Sequence, residues 1–163
     1  MASDLTSTLP ASLLSSLNRL RQLNTQDVQA RWQQYLETSQ EILTPADLLG
    51  AQSTLHWPIA PLNDRQHIAW DKGLQVLWLY QTIEVPAKQK GYPLTGLILR
   101  LSLTWWAEDA QIYVDGALVQ SGDLFECFAR VCLSESVQTG QVFQVAIRLV
   151  SPSHDNGALV RSH

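Results

Sequence analysis

The chain has 163 residues, 45% of them hydrophobic and only 16% charged. That length suits one domain with its own core and needs no disulfide or metal staple, and the composition excludes a disordered, self-solvating chain. A net charge of −4 with no run of Lys or Arg excludes the basic footprint of a nucleic-acid binder, and no apolar run approaches the roughly 20 residues that cross a bilayer.

The N-terminus has neither a basic start nor a clean apolar run, so no signal peptide is expected. The first 50 residues hold a single glycine, Gly50, whereas the rest hold seven. This shift divides the sequence into a helical extension, 1–50, and a β domain, 51–163. Leu13, Leu17 and Leu20 recur at helical spacing, Leu14 widens the stripe, and Pro10 suits a first helical turn. Asn24 marks a break or re-start, after which Val28, Trp32, Tyr35 and Leu36 continue the one-sided apolar face, predicting one kinked helix or two consecutive ones that end near residues 37–40. This stripe is expected to pack on the outside of the β domain, since an isolated amphipathic helix is marginal in water. Thr44-Pro45-Ala46-Asp47 reads as a one-turn helix stopped by Gly50. Residues 51–75, with Trp57 and Trp70 flanking Asn63-Asp64-Arg65-Gln66, read as an ordered linker along a domain edge.

From Val76 the pattern becomes that of strands. Val76 to Val85 is β-branched and aromatic and ends before Pro86. Leu97, Leu99, Leu101 and Leu103 alternate with other residues, as do Phe125, Cys127, Ala129, Val131 and Leu133, and then Phe143, Val145, Ile147 and Leu149. Asp115-Gly116 between Ile112/Val114 and Ala117-Leu118-Val119 signals a tight hairpin. No helix-length segment lies between Leu94 and Leu149, which excludes a parallel α/β sheet. The fold expected is mainly β: an eight-strand-class β-sandwich or jelly roll with an N-terminal helical extension. The four-residue leucine and Phe143–Leu149 sets are expected to face the core.

Reactive constellations are sparse. Gly91 to Gly96 lacks the spacing and lysine of a phosphate loop. His56, His67 and His154 have no metal-ligand spacing, and no metal site is expected in this chain. Cys127 and Cys132, five apart on a strand, read as two buried, inert, free thiols, which suits a reducing compartment and a cytoplasmic location. No nucleophile elbow is present, so no catalytic residue is assigned. Glu108 and Asp109 follow Trp105-Trp106, where rings and carboxylates together fit a sugar site. Adjacent strand residues face opposite ways, however, so the pair is poorly arranged for glycosidase acid/base work, and a hydrophobic strand end followed by a solvated turn is the favoured reading, ahead of a sugar contact or a contact with another domain. Low charge and six tryptophans suggest that another domain covers part of the surface. The candidate sugar or inter-domain contacts are Trp57, Trp70, Trp105, Trp106, Glu108 and Asp109, with Trp78 expected in the core.

Several stretches in combination carry a family resemblance. They are His67-Ile68-Ala69-Trp70, Val76-Leu77-Trp78-Leu79, Gln81 to Pro86, Leu101 to Gly116, Gly122-Asp123-Leu124-Phe125 and Arg148 to Pro152. Over residues 10–163 the chain resembles the N-terminal domain of bacterial, especially cyanobacterial, α-mannosidases of glycoside hydrolase family thirty-eight. The Ile112-to-Gly116 hairpin also resembles that of galactose-binding-like jelly rolls attached to glycosidases. The resemblance implies a retaining exo-mannosidase whose zinc ion and aspartate nucleophile lie in a following catalytic domain, with a His-x-Asp metal motif. No His-x-Asp occurs here, and His154-Asp155 is adjacent, so no catalytic residue carries over. The expected role is a non-catalytic accessory domain whose partner is the catalytic domain of the same polypeptide. A carbohydrate-binding module for α-mannosides and a stand-alone interaction domain are the alternatives. The end at His163 reads as the approach to a catalytic domain.

Overall fold

A computed structural model describes residues 10–38, 44, 47 and 56–163. It has a helix, α1 (Ala11–Asn24), followed by β1 (Gln33–Leu36), β2 (Ile68–Trp70), β3 (Val76–Glu84), β4 (Lys88–Gln89) and β5 (Tyr92–Pro93). Then come β6 (Leu99–Trp106), β7 (Asp109–Val114), β8 (Ala117–Gly122), β9 (Phe128–Ser134), β10 (Val142–Val150) and β11 (Gly157–Ser162). Among the described residues, nine strands form two antiparallel sheets, ordered β1-β3-β10-β7-β8 and β2-β11-β6-β9, and β4-β5 make a small separate hairpin. The fold is the expected β-sandwich of jelly-roll type.

Period-2 alternation explains the core. Leu77 and Leu79 of β3, Ala110 and Ile112 of β7, and Phe143, Val145, Ile147 and Leu149 of β10 face inward from the first sheet. Ile68, Trp70, Leu101, Leu103, Trp105, Ala129, Val131 and Leu159 answer from the second. The Asp115-Gly116 turn has φ of 48° and 81°, the left-handed pair that matches strand twist in a two-residue hairpin. Asp115 also ties β10 to this turn, its Oδ1 accepting from the Gln144 amide at 2.8 Å.

Three sequence expectations are corrected. Leu97 is exposed, because Leu94 to Leu97 forms a turn with Gly96 at φ 83° and the strand begins only at Leu99. Leu99 itself is half-buried against the core. Phe125 and Cys127 precede β9 instead of extending it. The helical face expected over Val28 to Leu36 is replaced by a 3-10 turn, Gln29–Arg31, and by β1 pairing with β3; residues 39–40 of that expectation lie outside the described residues. Propensity separates ordinary residues by about 0.7 kcal/mol each at most, whereas burying one large side chain contributes about 3 kcal/mol. Trp32 is fully buried and Val28 nearly so, which decides the contest. Helix α1 ends at Asn24, and Val28 to Leu36 is built into the sandwich.

The stripe on α1 does not pack as expected. Leu13, Leu17 and Leu20 are exposed, and no residue of α1 is buried. The β4-β5 hairpin holds the helix at its C-terminal end, where Gln89 Nε2 donates to the Leu23 carbonyl at 3.2 Å and Lys90 Nζ donates to that of Gln22. At the expected one-turn helix, the Thr44 hydroxyl and amide donate to Asp47 Oδ2 at 2.7 and 2.8 Å. These bonds hold the Asp47 carboxyl below its ordinary pKa. The remainder of that segment, Gly50 included, lies outside the described residues.

Candidate functional site

The six candidate contact residues do not converge. Trp57 is buried against the outer face of the first sheet, stacked on Tyr35 with ring centroids 5.4 Å apart. It joins Trp78 and Ala146 in a second small apolar cluster, so Trp78 is buried there and not between the sheets. Trp70 is a core residue whose indole N–H donates to the Gln75 carbonyl at 3.1 Å. Trp105 is another, its N–H donating to the Asp123 carbonyl at 3.2 Å. Trp106, one residue on, points to the opposite face and is 38% exposed. Three of the four rings are thus spent on the domain's own packing, and Trp106 alone of the four offers its face to solvent. Glu108 is exposed in the turn between β6 and β7. Asp109 opens β7 and pairs with Arg148 at 3.1 Å, so the two adjacent carboxylates share no site. Among the described residues no three His, Cys, Asp or Glu side chains gather to hold a metal. Cys127 and Cys132 are free, but Cys132 is exposed on β9, contrary to the expected burial, because its register opposite Arg100 puts it on the outer face.

Two features went unread in the sequence. The first is the crossing from β8 to β9. Asp123 Oδ1 accepts from the amides of Phe125 at 2.7 Å and Glu126 at 2.9 Å, forming a tight side-chain-capped turn. The Glu126 and Phe125 amides hold the Asp123 carboxyl below its ordinary pKa. With the Asp123 carbonyl held by Trp105, the turn presents Phe125 at 94% exposure. Leu118 and Val119 on β8 and Trp106 on β6 are also exposed.

The second feature is a groove of about 580 Å³ at the end of the sandwich where β3 leaves its sheet and β6 enters the other. Its walls carry Arg31, Arg100, Arg130 and His163, with Glu84 as the carboxylate among its lining side chains. Register explains the convergence: Arg130 on β9 stands opposite Ser102 on β6. The His163 and Ser102 backbones exchange hydrogen bonds of 3.1 and 2.8 Å. Arg100, two residues before Ser102, shares its face. Arginines at the polar parity of two strands were the available signal, but pairing those strands needed the fold.

Comparison with solved structures finds this architecture in glycosidases. A Ruminococcus gnavus β-glucuronidase superposes with a TM-score of 0.53 at 14% identity, covering 77% of this chain and 20% of that one. A Faecalibacterium prausnitzii β-glucuronidase gives 0.52 at 11% identity, covering 76% and 20%. The Ruminococcus gnavus enzyme in complex with D-glucuronic acid gives 0.51 at 13%, covering 77% and 22%. The likeness is one of fold. The chain spans about a fifth of the length of these enzymes. No family model and no curated protein matches the sequence.

Proposed function

We propose that this chain is a non-catalytic accessory domain of a glycoside hydrolase, bracing the catalytic domain of the same polypeptide. The observation that carries the reading is the sandwich it shares with about a fifth of each of several β-glucuronidases. The outward Phe125, on a turn whose backbone amide is fixed by Asp123, supports a docking role, since a large exposed ring on an ordered backbone is the kind of group that anchors an interface. The finer assignment, to an α-mannosidase of family thirty-eight, rests on the sequence resemblance. In that assignment zinc and the nucleophile belong to the following domain, and the four histidines of this chain contribute no motif to it. The free thiols Cys127 and Cys132 fit a reducing, cytoplasmic setting.

The test is the reading frame beyond His163, followed by assay. A downstream domain with a His-x-Asp motif, active on an aryl α-mannoside with zinc, supports the full assignment. A downstream domain active on another glycoside keeps the accessory role and removes the mannosidase. A stop codon at His163 overturns both. The 163-residue chain alone is expected to give no turnover above a heat-killed control.

A further inference from the structure

We propose that the groove between the ends of β3 and β6 is a binding site for an acidic saccharide, its carboxylates taken by Arg100 and Arg130. This deepens the accessory-domain reading by giving the domain a ligand of its own, and it rests on that reading for the choice of a sugar as the carrier of the charge. Arg31, Arg100 and Arg130 line the groove, against Glu84 as the carboxylate among its lining side chains. Among the described residues none of them makes an ion pair or a side-chain hydrogen bond, whereas Arg148 pairs with Asp109 on the first sheet. Gathering unpaired like charges costs free energy, and an acidic chain with 11 basic residues in all has no general reason to concentrate them here. A bound anion removes that cost, and a planar guanidinium matches a carboxylate through two parallel hydrogen bonds.

The groove's other groups favour a sugar as the carrier of that charge. Phe128 lies in its wall with more than half of its surface exposed, two residues from Arg130 on the same face of β9. Side chains two apart on a strand stand roughly 7 Å from one another. A pyranose ring laid on Phe128 therefore brings a carboxylate at its edge within reach of Arg130. Arg100 stands opposite Cys132, the next residue along that face, and offers a second guanidinium for the neighbouring unit. Ser102 and Gln26 border the same space and supply polar groups for hydroxyls. A volume of about 580 Å³ is that of a small-molecule site and suits two or three sugar units.

Titration of the whole chain with trigalacturonate, followed by calorimetry and amide NMR shifts, tests the site. Saturable binding is expected that weakens with salt. It should fall by roughly tenfold or more in the Arg100→Gln/Arg130→Gln double variant and in Phe128→Ala. Arg65→Gln, on the Asn63 to Gln66 turn, should bind as wild type, and uncharged maltotriose should not bind. The substituted side chains are exposed, and an unchanged Tm checks that each variant folds; the single variants Arg100→Gln and Arg130→Gln replace the double variant if it does not. Absence of saturable binding, or equal affinity in wild type and the arginine variants, overturns the site. So does binding of hexaglutamate as tight as that of trigalacturonate and indifferent to Phe128→Ala, which would make the groove a dock for acidic peptide. None of these outcomes bears on the reading-frame test, so the accessory-domain reading stands or falls separately.

Discussion

The indole N–H of Trp32 donates to Ser162 Oγ at 2.9 Å, both side chains being fully buried. Ser162 Oγ in turn donates to Gln29 Oε1 at 2.8 Å, and Gln29 Nε2 donates to the carbonyls of Leu159 at 2.8 Å and Gln66 at 3.3 Å. This buried relay ties the segment after α1 to the last strand, and it satisfies polar groups that would otherwise be stranded in the core. Ser162→Ala leaves the Trp32 N–H and the Gln29 carbonyl oxygen without partners. It should lower stability by about 1–3 kcal/mol. Gln29→Ala should cost a similar amount, and the double variant less than the sum, because the two share one network. Urea unfolding of the three variants measures this.

Two glycines are required by contact. A Cβ on Gly157 would stand 2.3 Å from Trp70 Cζ2, and one on Gly122 would stand 2.3 Å from the Glu126 carbonyl oxygen and 2.6 Å from Trp105 Cζ2. Both rings are buried and cannot swing away. Gly157→Ala and Gly122→Ala should each destabilise by about 1–3 kcal/mol or more, read as a lowered Tm and reduced soluble yield.

Gln81 points into the core from β3, and among the described residues neither its Oε1 nor its Nε2 has a hydrogen-bond partner. An amide buried in this way costs about 1–3 kcal/mol. Gln81→Leu should raise the midpoint of urea unfolding, and Gln81→Glu should lower it at neutral pH by burying a charge. A Leu variant less stable than wild type would show that the amide is held by groups other than the protein's.

Asp123 gives a pH dependence of defined sign. Its carboxyl pKa is held below the ordinary 3.8 by the Glu126 and Phe125 amides. A depressed folded-state pKa contributes stability that is present above the unfolded value and is lost as pH falls through the folded one. The Tm difference between wild type and Asp123→Ala should therefore be largest near neutrality and shrink as pH falls below about 4. In the accessory-domain reading, Asp123→Ala also loosens the turn that presents Phe125, and should weaken docking without changing the core.

Accessory binding of neutral mannosides is expected to be absent. A titration with short α-mannosides should give no saturable NMR shift. If one appears, Trp106→Ala, and not the buried Trp105→Ala, is the variant that distinguishes a sugar contact from unfolding.

By itself the sequence determined the fold class and most of its interior. Alternation over Leu99–Trp106 and Val142–Val150, Asp115-Gly116 and the limit at Pro86 are local signals, and each follows from backbone geometry within one element. The tertiary structure decided whatever depended on a distant partner. Residues 28–36 carry a helical period, yet they become turn and strand because Trp32 finds Ser162 and β3 offers an open edge. The tryptophans resembled a binding surface in sequence, but alternation cannot say whether a ring meets solvent or a facing sheet, and three of the four meet protein. The arginine groove was invisible for the same reason. Arg31, Arg100 and Arg130 are far apart along the chain, and only the pairing of β6 with β9 and the return of the N-terminal segment bring them to one place.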